Sequence, residues 1–139
     1  MSELKDLKDN FTGNFTAFSY SSNMLLLGSD LGEILQMELP SKTTKYFDLE
    51  GSILSIDSNF DDSYWAAGSD LGILFIKKTN SRFAKKTYND FGEGKEIRQI
   101  RFYKENALVV STLEKVEIVF LRDLKLGLDC TRVAVVKNS

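Results

Sequence analysis

Residues 25–32 read LLLGSDLG, and residues 65–72 read WAAGSDLG. The pentapeptide Gly-Ser-Asp-Leu-Gly therefore occurs twice, 40 residues apart, each time at the end of a short apolar run. A second apolar run follows each copy, EILQMEL after Gly32 and ILFI after Gly72. Two apolar runs divided by a few turn residues are the pattern of a β-hairpin. Gly32 and Gly72 can take the positive φ that a tight reversal requires, at no steric cost. Asp30 and Asp70 carry short carboxylates able to accept hydrogen bonds from the turn backbone. Gly28 and Gly68 stand late in the preceding strands, where glycine marks a bulge or the close approach of another backbone. The repeated letters are turn chemistry. A phosphate cradle would call for more glycines and a helix directly behind them.

Outward from the pentapeptides, whole units align. FTAFSYSSNMLLLGSDLGEILQMEL starts at Phe15, ILSIDSNFDDSYWAAGSDLGILFIKK at Ile53, and a weaker third copy, IRQIRFYKENALVVSTLEKVEIVFL, at Ile97. In the third, Ser111-Thr112-Leu113-Glu114-Lys115 stands where the pentapeptide was, so the periods are 40 and 43 residues. Each unit holds an alternating segment, a polar turn, an apolar run, the turn and a second apolar run. A fourth segment closes it: TTKYFDL at 43–49, RFAKKTY at 82–88 and TRVAVVK at 131–137. Runs this short, in a chain with one proline, predict antiparallel β-strands. Four strands at a period near 40 make one propeller blade. The expected fold is all-β, with antiparallel four-stranded blades of a partial β-propeller. The expected organisation is a leader over 1–14, where Leu4, Leu7 and Phe11 have helical spacing, and one β domain over 15–139. Its three units span 15–51, 52–94 and 95–139. Leu26, Leu35, Ile53, Ala67, Ile73, Phe75, Ile100, Val109, Ile118 and Phe120 are expected to be mostly buried between blades.

At the pentapeptide the sequence resembles the WD40 repeat family, whose corresponding segment reads Gly-Ser-x-Asp-Gly before an apolar strand. The resemblance covers about residues 15–138 as three divergent blades. No Trp-Asp dipeptide is present, and Met37-Glu38 sits near that place in the first unit. The chain has no histidine, so the family's Gly-His pair and its buried hydrogen-bond network are missing. Leu31 and Leu71 occupy the usual Asp position, with the Asp moved one residue toward the N-terminus. The resemblance implies a scaffold like those of coat, tethering and assembly subunits. Three blades do not close a ring, which takes roughly four to eight, and an open edge invites association; the expectation is a piece of a longer chain, pairing with itself or with another propeller fragment, or a small open β-domain.

Composition narrows the chemistry. A length of 139 residues, 42% apolar and 27% charged, is that of one ordinary globular domain. Without histidine, Ser-His-Asp and Cys-His catalysis and His-based metal sites are excluded. Asp57-x-Asn59-x-Asp61 imitates the start of a calcium loop, but its sixth position is Asp62 and its twelfth Gly68, so a strand-to-strand turn is expected. Cys130 has no evident activating base, and Trp65 is expected in the core. No catalytic, cofactor-binding or metal site is expected, and no enzyme. No apolar run reaches the roughly 20 residues of a membrane helix. The N-terminus has no secretory pattern, and the lone cysteine fits a reducing compartment. An intracellular protein, cytoplasmic or nuclear, is the expectation.

Charge is divided along the chain. Residues 1–76 hold 4 Lys/Arg and 12 Asp/Glu, and residues 77–139 hold 14 and 8. The densest basic stretch, Lys77 to Lys86, suits an exposed edge strand guarded by lysines, or phosphate contact. The expected function is a non-enzymatic scaffold that mediates protein–protein interaction in a larger assembly. The alternative is a nucleic-acid-associated factor acting through the basic C-terminal half. The expected partners are other proteins, including self-association or another propeller fragment that completes the ring, with no membrane insertion. The candidate protein-binding residues are Leu31 and Leu71 at the turn tips, with Asp30, Asp70 and Glu33 around them. Solvated leucines at equivalent tips would begin an apolar patch, with the acidic groups as its polar rim.

Overall fold

The computed structural model describes residues 11–88 and 95–137, and among these all regular structure is β-strand. The first sheet contains β1 (Phe15–Tyr20), β2 (Met24–Ser29), β3 (Glu33–Glu38) and β4 (Thr44–Asp48). The second contains β5 (Ile53–Ser58), β6 (Tyr64–Ser69), β7 (Ile73–Lys78) and β8 (Ala84–Tyr88). The third contains β9 (Gln99–Lys104), β10 (Ala107–Ser111), β11 (Lys115–Leu124) and β12 (Gly127–Lys137). In each sheet the spatial order follows the chain and every neighbouring pair is antiparallel. Each repeat is therefore a complete four-stranded blade. The helical turns expected around Leu4 and Leu7 fall outside the described residues.

The blades stack face to face, because each sheet carries apolar side chains on both sides. Between the first and second blades, Met24, Leu26 and Ile34 pack with Ile53, Ile56, Trp65, Ala67 and Ile73. Rings add to this joint: Phe47, Trp65 and Phe75 lie 5.3–5.8 Å apart, centroid to centroid, in tilted or edge contact. Trp65 is fully buried as expected, and its indole N–H donates to Gln36 Oε1 of the first blade at 2.9 Å. A buried N–H without such a partner would cost about 1–3 kcal/mol. Between the second and third blades, Tyr64, Ala66, Leu74 and Ile76 meet Ile97, Ile100, Leu108, Val110, Val119 and Leu121. Gly28 and Gly68 make both joints possible. A Cβ on Gly28 would strike the Ile53 side chain, and one on Gly68 would strike Ile97.

The innermost strands β1, β5 and β9 are also clasped across the joints. Thr16 Oγ1 donates to the Ile53 carbonyl at 2.6 Å. Ser55 Oγ accepts from the Ile100 N–H at 2.9 Å, and Asp57 Oδ2 from the Phe102 N–H at 2.8 Å. Together these strands line an open groove of about 580 Å³. At the outer side the second blade grips the third through Arg132 to Thr87 (2.9 Å), Lys78 to Asp123 (3.4 Å) and Lys85 to Asp129 (3.5 Å).

The expected core needs one correction, in the third blade. Leu26, Leu35, Ile53, Ala67, Ile73 and Ile100 are buried, and Phe75 of the second blade and Val109 of β10 are half-buried; in β11, after the third blade's turn, Ile118 is half-buried and Phe120 is 40% exposed. In β11 the cause is a shorter turn. In the second blade five residues separate the paired Gly68 and Leu74, whereas in the third four separate Ser111 and Val116. Dropping one residue sends every later side chain of the strand to the opposite face. Val119 and Leu121 therefore face the second blade, and Ile118 and Phe120 face away from it.

Candidate protein-docking rim

Each pentapeptide folds as the same three-residue turn. The strand ends at Ser29 or Ser69, and the chain reverses through Asp-Leu-Gly. Gly32 and Gly72, both at φ 83°, accomplish the reversal and donate their N–H to the Ser29 and Ser69 carbonyls at 3.2 and 3.1 Å. The serine hydroxyl then holds the turn from inside. Ser29 Oγ accepts from Leu31 N–H and Glu33 N–H, and Ser69 Oγ from Leu71 N–H and Ile73 N–H, at 3.1–3.3 Å. The aspartates tie the turn to the start of their own blade. Asp30 Oδ1 accepts from Asn14 N–H at 2.8 Å, and Asp70 Oδ1 from Ser52 N–H at 2.9 Å.

These anchors leave the leucines at the tips. Leu31 is 61% exposed and Leu71 47%. Each leans on the glycine that leads into its blade: a Cβ at Gly13 would come within 3.0 Å of Leu31 Cγ, and one at Gly51 within 2.8 Å of Leu71 Cγ. The third blade adds a residue that the alignment of repeats did not single out. Leu113, 51% exposed, sits at the tip of the shortened turn, where Thr112 Oγ1 takes the serine's place and accepts from Glu114 N–H and Lys115 N–H at 3.2 Å. Gapless alignment sets Leu113 beside Asp70; the missing residue brings it to the leucine's place instead. Three successive blades thus present a leucine from equivalent turns.

Glu33 belongs to the fold more than to the rim. Its carboxylate accepts from Thr12 N–H at 2.9 Å, Gly13 N–H at 2.8 Å and Ser29 Oγ at 2.9 Å. Burial opposes its ionisation, but these hydrogen bonds outweigh burial and hold the carboxyl below its ordinary range. Its counterpart in the second blade is Ile73, so the acidic collar is not repeated. The basic stretch is likewise partly consumed. Lys77 is buried beside the Phe47 ring and donates to the Lys78 carbonyl at 2.8 Å; burial and then Lys45 push its pKa down. Lys78 and Lys85 pair with aspartates of the third blade. β8 is the outermost strand of its sheet, as the lysine-guarded edge implied.

No family model and no curated protein sequence matches the chain. Solved structures do. Kluyveromyces lactis Hsv2 superposes with a TM-score of 0.70 at 12% identity over 92% of this chain and 48% of that one. A form of KlHsv2 with loop 6CD replaced by a Gly-Ser linker gives 0.71 at 14% identity, over 92% and 46%. The β-propeller domain of Myceliophteria thermophila Cps50 (Swd1) gives 0.66 at 8% identity, over 89% and 38%. This chain spans about half the length of the Hsv2 structures it matches. The likeness extends through all three sheets, and the chain has the fold of a WD40-like β-propeller in a partial form of three blades.

Proposed function

We propose that the chain is a non-enzymatic, intracellular scaffold module that binds other proteins within a larger assembly, using the rim formed by its turn tips. The observation that carries this reading is the recurrence of an exposed leucine at the same turn of three consecutive blades, Leu31, Leu71 and Leu113. A single solvated leucine is ordinary, but a leucine repeated on one rim would begin an apolar patch in a polar setting. The turns that carry them are held by serine, threonine and aspartate hydrogen bonds, so a partner would meet a preorganised surface and pay little ordering entropy. The leucines are the anchors in this reading, with Asp30 and Asp70 as polar neighbours.

The test is Leu31→Ser with Leu71→Ser, followed by recovery of partners from a cell extract and a check of folding by circular dichroism. The reading expects a folded protein that loses at least one partner. A folded variant that keeps every partner removes the rim as the site. A nucleic-acid role through the basic half has less support, because Lys77, Lys78 and Lys85 already have intramolecular contacts. Such binding would weaken steeply as salt rises, and a salt titration against duplex and single-stranded DNA and RNA reads that directly.

A further inference from the structure

Among the described residues, two faces of the stack carry no blade, and the internal joints show what each face is built to meet. In the second blade Tyr64, Ala66, Leu74 and Ile76 pack onto the third. By strand register the third blade sets Ala107, Val109, Val116 and Ile118 at the same positions. Beside them lie Phe120, Val133 and Val136, 40%, 47% and 60% exposed. At the other end, the positions that Ile56, Trp65, Ala67 and Phe75 use to meet the first blade fall, in the first blade, to Phe18, Leu25, Leu27 and Leu35. Phe11 covers the outer part of that face. The inner part is open: Phe18 and Tyr20, 66% and 74% exposed, stack at 6.3 Å on each other with no blade against them. One end is thus shaped as a following face and the other as a preceding face.

We propose that two copies of this chain close head to tail, the third blade of each packing on the first blade of the other, to form a ring of six blades. Charge favours that pairing. Residues 15–51 carry two Lys/Arg and five Asp/Glu, whereas residues 95–137 carry nine and six, so unlike ends attract and like ends repel. The inner strands supply a specific contact. Arg101 takes the place of Asp57, and Tyr20 that of Phe102, the residue whose N–H Asp57 receives. Head-to-tail packing therefore sets the Arg101 guanidinium at the Phe18–Tyr20 ring pair, a favourable cation–π partner. Six blades lie within the range in which propellers close. The proposal rests on reading the chain as a protein-binding propeller module and names one of its partners as itself.

Sedimentation equilibrium of the full chain tests this, with Phe18→Arg altering one face and Phe120→Glu the other. The expected result is a particle of twice the 15.7 kDa chain mass for the unaltered protein and a shift toward monomer for each variant. Mixing the two variants is expected to restore association, because one unaltered joint can form between them. Monomer at tens of micromolar for the unaltered chain would overturn the proposal. So would a dimer indifferent to both substitutions, or variants that do not complement. Both side chains are exposed, and circular dichroism confirms that the variants remain folded. A monomer that still recovers partners through Leu31 and Leu71 would overturn the ring and leave the docking rim standing.

Discussion

Gly32 shows how much a single residue settles in this chain. Its φ of 83° lies in the left-handed region, and a Cβ there would fall on the Leu49 carbonyl oxygen. Gly72 repeats the same φ. Valine at either position should cost more than about 1 kcal/mol, since a β-branched residue is strained at that φ; urea denaturation of Gly32→Val and Gly72→Val measures it. An unchanged midpoint would mean that neither turn needs its glycine. Glu33 makes a prediction of a different kind. Its carboxyl titrates below the ordinary 4.5 in the folded protein, so its contribution to stability is complete above that value and is lost as pH falls through the folded pKa. Glu33→Gln should flatten the acid limb of the stability profile, which thermal melts between pH 3 and 6 would show. The sequence made the glycine legible because turn chemistry is local. It did not reveal the job of Glu33, because the N–H groups of Thr12 and Gly13 come to it from about 20 positions away.

At the level of strands, the hairpins were readable and one register was not. Alternation of apolar residues located each strand of the first two blades, whose turns share one pentapeptide. In the third blade Ser111-Thr112-Leu113-Glu114-Lys115 stands position for position where the pentapeptide was, yet its hairpin is one residue shorter. Both faces of β11 are apolar (Val116, Ile118 and Phe120 on one side, Val119 and Leu121 on the other), so alternation could not say which set faced the core. The distinction is measurable. Leu121→Ala, buried among Ile100, Leu108 and Val110, should cost about 2–5 kcal/mol. Phe120→Ser should stay within about 0.5 kcal/mol, as exposed substitutions do, when the stability of the isolated monomer is compared. The reverse order in chemical denaturation would return β11 to the register that the gapless alignment suggests. Other inter-blade elements left no sequence signal. Gln36 serves Trp65, and Ser55 and Asp57 serve the backbone of β9, but as letters they are indistinguishable from solvated polar residues.

For the molecule as a whole, the central claim is that one sequence repeat builds successive blades, so that a stack of sheets with equivalent turns along one rim follows from the period itself. The period of 40 made the number and order of blades legible. It could not show which face of each sheet meets the next, because that depends on contacts between units. The glycines hold the answer. Gly28 and Gly68 are equivalent in the repeat, and each admits an isoleucine from the next unit, Ile53 and Ile97, across a gap of 25 and 29 residues. Nuclear Overhauser contacts from the Gly28 and Gly68 Hα protons to isoleucine methyls, recorded with isotope-labelled protein, examine both joints in one spectrum. The structure predicts strong cross-peaks from Gly28 to Ile53 and from Gly68 to Ile97. Intact hairpins with neither cross-peak would contradict it, since the three sheets would then form without stacking as blades.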